Sequence, residues 1–263
     1  MSKLRRKIDN LYFFNDIKLY LLILIIIAII TISFMPIKVT ESKEKQNHIT
    51  NALLSDEAFK EDEPKKLVAF TFDDGPSKEN TTYLLKELEK RNAHVSFFII
   101  GDRIKGNEYL IKQLYNDGHT IGSHTFNHKN LKLLKEEEVH NEINETNKLL
   151  TDITGHETIY LRPPYGSYNN YIFDNNMVII LWSIDTLDWQ HKDAEKIKET
   201  IVNNVQDCDI ILLHDLYPTS IEGALLAMDE LKDEYDFVSI DELINKKEIK
   251  IEPNTIYNNF RSS

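Results

Sequence analysis

Asp73 and Asp74, His124 and His128, Arg162, Asp185 and Asp188, and His214 are the residues whose types and spacing suit hydrolytic chemistry. His124 and His128 stand four apart, so on a helical turn both imidazoles would face one way and chelate one cation. Two histidines and one carboxylate make a three-ligand catalytic zinc set that leaves a coordination position for water. A second carboxylate beside the ligands can take that water's proton, and a separate histidine can protonate a leaving group. An arginine and a further aspartate can orient the base and the acid. Each piece alone also has a plainer reading. Asp73-Asp74-Gly75-Pro76 is turn chemistry, Arg162 can pin the loop of Pro163-Pro164-Tyr165-Gly166, Asp188-Trp189 can be a surface turn, and His214 can be a core histidine.

The elements that carry these residues bring them together. Short apolar runs predict buried strands at Lys66–Phe72, Val95–Ile100, Thr120–Gly122, Ile159–Arg162, Met177–Trp182, Asp209–His214 and Phe237–Ile240. Between them lie amphipathic stretches: Leu110, Ile111, Leu114 and Tyr115 mark one helical face, and Val139, Ile143 and Leu150 another. Ile197, Ile201 and Val205 mark a third, and Ile221, Leu225 and Met228 a fourth. Strands alternating with helices predict an α/β fold with a parallel sheet and right-handed crossovers. The pattern is compatible with an open or a closed sheet. In either, the carboxyl ends of the strands share one rim, and the candidate residues sit at five of those ends.

Five segments resemble the motifs of the NodB-like polysaccharide deacetylases, carbohydrate esterase family 4. They are Thr71-Phe72-Asp73-Asp74-Gly75-Pro76, His124-Thr125-Phe126-Asn127-His128, Arg162-Pro163-Pro164-Tyr165-Gly166, Asp185-Thr186-Leu187-Asp188-Trp189 and Leu212-Leu213-His214, in family order. The resemblance covers about Lys66 to Asn245 and implies a distorted (β/α)7-type barrel. It implies that Asp74, His124 and His128 hold one divalent metal ion, Zn2+ above all, with Co2+ or Ni2+ as substitutes. Asp73 would be the general base, Arg162 its tethering partner, and the backbone N–H of Tyr165 an oxyanion donor. His214 would be the general acid, with Asp188 setting its tautomer and raising its pKa. Tyr165, Trp189 and Leu212 would contact substrate, the last two walling a small pocket for the acetyl methyl.

The flanking regions suggest where such a domain works. Leu19 to Met35 carries no charge, and Pro36 and Ile37 extend the neutral run. At about 1.5 Å per residue, a helix over 19–37 nearly spans a ~30 Å hydrocarbon core. Lys3, Arg5, Arg6, Lys7 and Lys18 precede it, so residues 1–18 are expected to be cytoplasmic and the rest extracellular. Ser33-Phe34-Met35-Pro36 offers no good cleavage site, which favours a single-pass membrane anchor over a signal peptide. Residues 38–65 are charged and polar and read as a flexible stalk, 66–245 as the catalytic domain, and 246–263 as a C-terminal tail. A stalk of about 30 residues reaches ~100 Å fully extended, which favours a polymer near the membrane such as peptidoglycan.

Formal net charge is −12, so no basic footprint recommends nucleic acid, and an anionic polymer needs local contacts. The single cysteine, Cys208, excludes an intramolecular disulfide framework. The expected reaction is hydrolysis of the N-acetyl group of N-acetylglucosamine in peptidoglycan. Chitin-like oligosaccharide, poly-N-acetylglucosamine and O-acetylated xylan are the alternative substrates. A non-catalytic glycan-binding module and a scaffold for wall synthesis are the rival functions; the intact set of motif residues argues against the first.

Overall fold

Lys66–Asp73 forms the central strand β1, because its valine, threonine and phenylalanines suit a pleated surface and seven of its eight residues are buried. Burial on both faces is the mark of a strand inside a parallel sheet. The computed structural model describes residues 64–261. The apolar run 19–37 and the stalk up to residue 63 lie outside the described residues. Among the described residues, no helix is long and apolar enough to cross a membrane.

Eight further strands join β1: β2 (Ser96–Ile99), β3 (Thr120–Ser123), β4 (Tyr160–Leu161), β5 (Val178–Ile180), β6 (Ile184–Asp185), β7 (Asp209–His214), β8 (Tyr235–Phe237) and β9 (Ile256–Tyr257). The order across the sheet is β6-β7-β1-β2-β3-β4-β5-β9, with β8 on the first half of β1. Every named strand pair is parallel, as expected for strands separated by helices. β5 and β6 are two parts of one bent run of chain. The first part pairs with β4 and the second with β7, which curls the sheet.

Alternation along β1 decides what each side chain meets. Val68, Phe70 and Phe72 face the outer helices, while Leu67 and Ala69 face a second cluster with Phe98, Ile180 and Ile210. Continuing the period of two places Thr71 and Asp73 on that same inner face. The register of β1 against β7 sets Asp73 opposite His214. Two residues far apart in sequence thus become neighbours at the carboxyl rim.

The helices are α1 (Lys78–Arg91), α2 (Glu108–Asn116), α3 (Glu136–Thr154), α4 (Asp188–His191), α5 (Ala194–Asn204), α6 (Pro218–Leu231) and α7 (Ile240–Lys246). Leu110, Ile111, Leu114, Val139, Ile143, Leu150, Ile197, Ile201, Ile221, Leu225 and Met228 are all buried, as their spacing predicts. α5 and α6 pack closely enough that a side-chain carbon on Gly223 would lie 2.7 Å from Ile197.

At the opposite end of the sheet, α7 plugs the interior with Ile240, Leu243 and Ile244. Of the predicted strand Phe237–Ile240, only Phe237 therefore lies in a strand, at the end of β8. Ser239 starts a helix because its hydroxyl accepts from the N–H of Glu242, whose carboxylate accepts from the N–H of Ser239. This end also holds both extremities of the described chain. The N–H of Cys208 donates to the carbonyl of Leu67, and the N–H of Phe260 donates to the carbonyl of Cys208. The tail is built into the fold: β9 pairs with β5, and Ile249, Ile251 and Tyr257 pack on the inner cluster.

Candidate active site

The base side of the site grows from β1 and β4. Asp73 Oδ1 accepts from Arg162 Nη1 at 2.7 Å, and the same nitrogen donates to Thr71 Oγ1 at 2.7 Å. Arg162 also donates from Nε to the carbonyl of Ile180 and from Nη2 to that of Leu181. Its guanidinium lies 4.0 Å from the Phe98 ring and is fully buried. A buried arginine with this many fixed acceptors is a rigid strut for Asp73. Burial pushes the Asp73 carboxyl above its ordinary range, against the lowering pull of Arg162 and His214. That is the direction a proton acceptor working near neutral pH requires.

Beside it, three ligand atoms converge. Asp74 Oδ1 is 3.2 Å from His128 Nε2 and 3.5 Å from His124 Nε2. This oxygen is buried and has no hydrogen-bond partner. The Nδ1 of His124 donates to the carbonyl of Arg162 at 2.7 Å, which leaves Nε2 as the lone-pair atom facing Asp74. Burial takes the His124 imidazolium down to about 3, so the ring is neutral. A partnerless buried oxygen amid two imidazole nitrogens, all within 4.8 Å of one another, fits a divalent metal ion.

The acid side grows from β7 and α4. His214 Nδ1 donates to Asp188 Oδ1 at 2.8 Å, and the His214 backbone N–H donates to Asp188 Oδ2 at 2.7 Å. Burial opposes the charged form of His214, yet the hydrogen bond and charge of Asp188, with the charges of Asp73 and Asp74, carry its pKa to about 9. Burial likewise pushes Asp188 up, but its bonds to His214 hold it below the usual carboxylate range. A cavity of about 400 Å³ joins the two sides, lined by Asp73, Asp74, His124, His128 and His214 and walled by Tyr165, Trp182, Trp189, Leu212 and Tyr217. Tyr165 and Trp189 are largely open to solvent, at 68% and 49% exposure, whereas Leu212 is buried. Two other cavities, of about 330 and 430 Å³, lie around His94 near the opposite end of the sheet, away from this constellation.

The structure thus gathers every sequence-predicted site residue at one cavity, with Arg162 and Asp188 lodged behind Asp73 and His214. The route for one pair differs from the expectation. His124 and His128 do not lie on a helical turn; residues 124–128 are irregular, and Thr125 and His128 have φ of 64° and 54°. Asp74 and Tyr165 also have positive φ, 72° and 60°. Left-handed backbone at four non-glycine positions is strain concentrated at the site, held by surrounding bonds. Two supporting residues escaped the sequence reading. Glu142 on α3 is a buried carboxylate that accepts from the Asn127 N–H at 2.7 Å and from Lys129 Nζ at 2.9 Å, bracing the His124–His128 loop. Its signal was a carboxylate on the otherwise apolar face of Val139 and Ile143. Asp215, buried behind Gly75, accepts from Thr81 Oγ1, and burial pushes it up to about 7.

The sequence model of the family described as polysaccharide deacetylase matches residues 60–177. A peptidoglycan-N-acetylglucosamine deacetylase of Bacillus cereus is 34% identical over 193 residues, covering 70% of this chain and 90% of the relative. The chain belongs to the polysaccharide deacetylase family. Another family member, the peptidoglycan-N-acetylglucosamine deacetylase of Listeria monocytogenes, is 36% identical over 184 residues. The match covers 69% of this chain but only 40% of that longer relative. Among solved structures of the family, an acetyl xylan esterase from Clostridium thermocellum, in complex with cobalt, superposes with a TM-score of 0.71 at 30% identity. That match covers 75% of this chain and all of the esterase.

Proposed function

We propose that this polysaccharide deacetylase removes the N-acetyl group from N-acetylglucosamine in peptidoglycan, releasing acetate. The observation that carries the reading is the partnerless buried oxygen of Asp74 facing two imidazole nitrogens, with a carboxylate–arginine pair on one side and an imidazole–carboxylate pair on the other. Asp74, His124 and His128 would hold one divalent ion, Zn2+ by ligand type, which when bound polarises the amide carbonyl and acidifies a water. Asp73 takes the proton of the attacking water, and Arg162 keeps its carboxylate aimed at the cavity. The N–H of Tyr165 supports the developing oxyanion. His214 holds a proton at Nε2 and delivers it to the departing sugar nitrogen, while Asp188 fixes Nδ1–H. Tyr165 and Trp189 offer faces to the sugar, and Leu212 limits the space beside the acetyl methyl.

The curled parallel sheet supports reading the fold as a distorted (β/α)7-type barrel whose carboxyl rim is the mouth. The neutral run 19–37 behind a basic segment supports a membrane-anchored chain with this domain outside the cell. The test is acetate release from peptidoglycan and from chitopentaose, with zinc or with chelator. Release from peptidoglycan that chelator abolishes is expected. Release from chitopentaose alone would move the substrate, and release from neither by folded, metal-loaded protein would overturn the reaction.

A further inference from the structure

The cavity wall beyond His214 is aromatic, and apart from the imidazoles the charged side chains that line the cavity are the carboxylates Asp73, Asp74 and Asp185. With a net charge of −12 on the chain, a negatively charged glycan finds no general attraction here. The cations near the site are mostly committed. Arg162 is buried on Asp73, and Lys129 is paired with Glu142. Lys192 differs. It is exposed, forms no ion pair among the described residues, and holds its Nζ 5.1 Å from the centroid of the Tyr217 ring.

The placement of Lys192 follows from the same turn that serves the acid. α4 runs between Leu187 and Lys192, with φ of 50° and 48°, and the Lys192 N–H donates to the Asp188 carbonyl at 3.0 Å. Asp188 is locked to His214, so the backbone that positions the acid also positions the ammonium. Tyr217 is shared between them: its ring centroid lies 6.5 Å from that of His214 and 5.1 Å from Lys192 Nζ. A glycan with its reacting sugar at His214 and a neighbouring unit over Tyr217 would present that neighbour's substituents to Lys192.

We propose that Lys192 is a specificity-determining residue that recognises a carboxylate carried by the sugar next to the one being deacetylated. The proposal rests on the deacetylase reading above and deepens it. In peptidoglycan such a carboxylate comes from the lactyl ether of the neighbouring sugar or from the peptide attached there; chitin-like glycans have neither. A lone ammonium held over an aromatic face in an acidic surround would let the site tell the two polymers apart.

The test compares kcat/KM for acetate release from three tetrasaccharides: chitotetraose, a peptidoglycan fragment with free lactyl carboxylates, and one bearing peptides. With wild type, the anionic fragments are preferred, and raised salt erodes the preference. K192A lowers kcat/KM on an anionic fragment about fivefold, the scale of a solvent-exposed ion pair. K192E lowers it further, K192R restores it, and chitotetraose changes less than twofold throughout. Loss confined to one anionic fragment identifies the lactyl or the peptide source and supports the assignment. Equal loss on chitotetraose would reduce Lys192 to a support for α4, and unchanged kcat/KM on both anionic fragments would remove it from recognition. If wild type released acetate from none of the three, the deacetylase reading itself would fall, and this proposal with it.

Discussion

Replacing Asp188 by Asn keeps the shape behind His214 and removes the charge. Asp188 is fully buried and gives both carboxylate oxygens to His214, one to Nδ1 at 2.8 Å and one to the backbone at 2.7 Å. The His214 pKa of about 9, against the ordinary 6.5, corresponds to ~3 kcal/mol of preference for the imidazolium at 1.36 kcal/mol per pH unit. In D188N the burial that disfavours the charged ring persists while its main counterweight is gone, so the pKa should fall to 6.5 or below. A general acid works only while protonated. The wild-type rate should therefore decline as pH rises through about 9, and the D188N rate through 6.5 or lower. At pH 8 the loss of protonated acid alone makes D188N roughly 30-fold slower. The assays are NMR titration of His214 in metal-free protein and the pH profile of acetate release at saturating substrate. The linked stability has a definite sign. A raised folded-state pKa stabilises fully below 6.5, and that stability is lost as pH rises through about 9. The melting advantage of wild type over D188N should be largest near pH 6 and shrink by pH 10. A D188N pKa still above 8, or an unmoved alkaline limb, would refute the reasoning.

Three further outcomes are expected. D73N should retain metal yet release acetate ~10²–10⁴ times more slowly, as loss of a general base dictates; a rate within tenfold of wild type would remove Asp73 from that role. E142Q should weaken metal binding by about 10- to 100-fold in a chelator competition, because the loop carrying His124 and His128 loses a charged brace; undiminished affinity would leave Glu142 a packing role only. G75A would place a carbon 2.7 Å from the buried Asp215 carboxylate and should cost ~1–3 kcal/mol of stability. A thermal scan reads the loss, and the G75A/D215S pair should recover part of it; no recovery would mean that Asp215 is not the obstacle.

The site was more legible in the sequence than the fold around it. Asp73 and His214 ended strands that apolar runs announced, and parallel pairing brought their ends to one rim. What stayed hidden was hidden for physical reasons. β6 and β9 are two residues each, too short for any periodicity to show, and they exist because neighbours supply their partners. The strand read at Phe237–Ile240 kept only Phe237, because a helix cap at Ser239, a local interaction that apolar counting ignores, redirects the chain. The convergence of His124 and His128 came from left-handed backbone, which no spacing rule reports. Glu142 stood out as a carboxylate on an apolar face, but its partner Asn127 became visible only in the fold.

The chain enters the sheet at Lys66, and Leu67 and Phe260, near the two ends of the described residues, are both tied to Cys208 at the end remote from the catalytic mouth. Such an arrangement behaves as a cassette. Other polypeptide can be spliced before Lys65 or after Arg261 and hang from the closed base, leaving the open rim unobstructed. The same geometry makes a circular permutant feasible, with a short linker joining the old ends and new ones cut elsewhere on the surface. Immobilising the protein at Lys65 or at Arg261 should likewise present the mouth outward, toward an insoluble polymer.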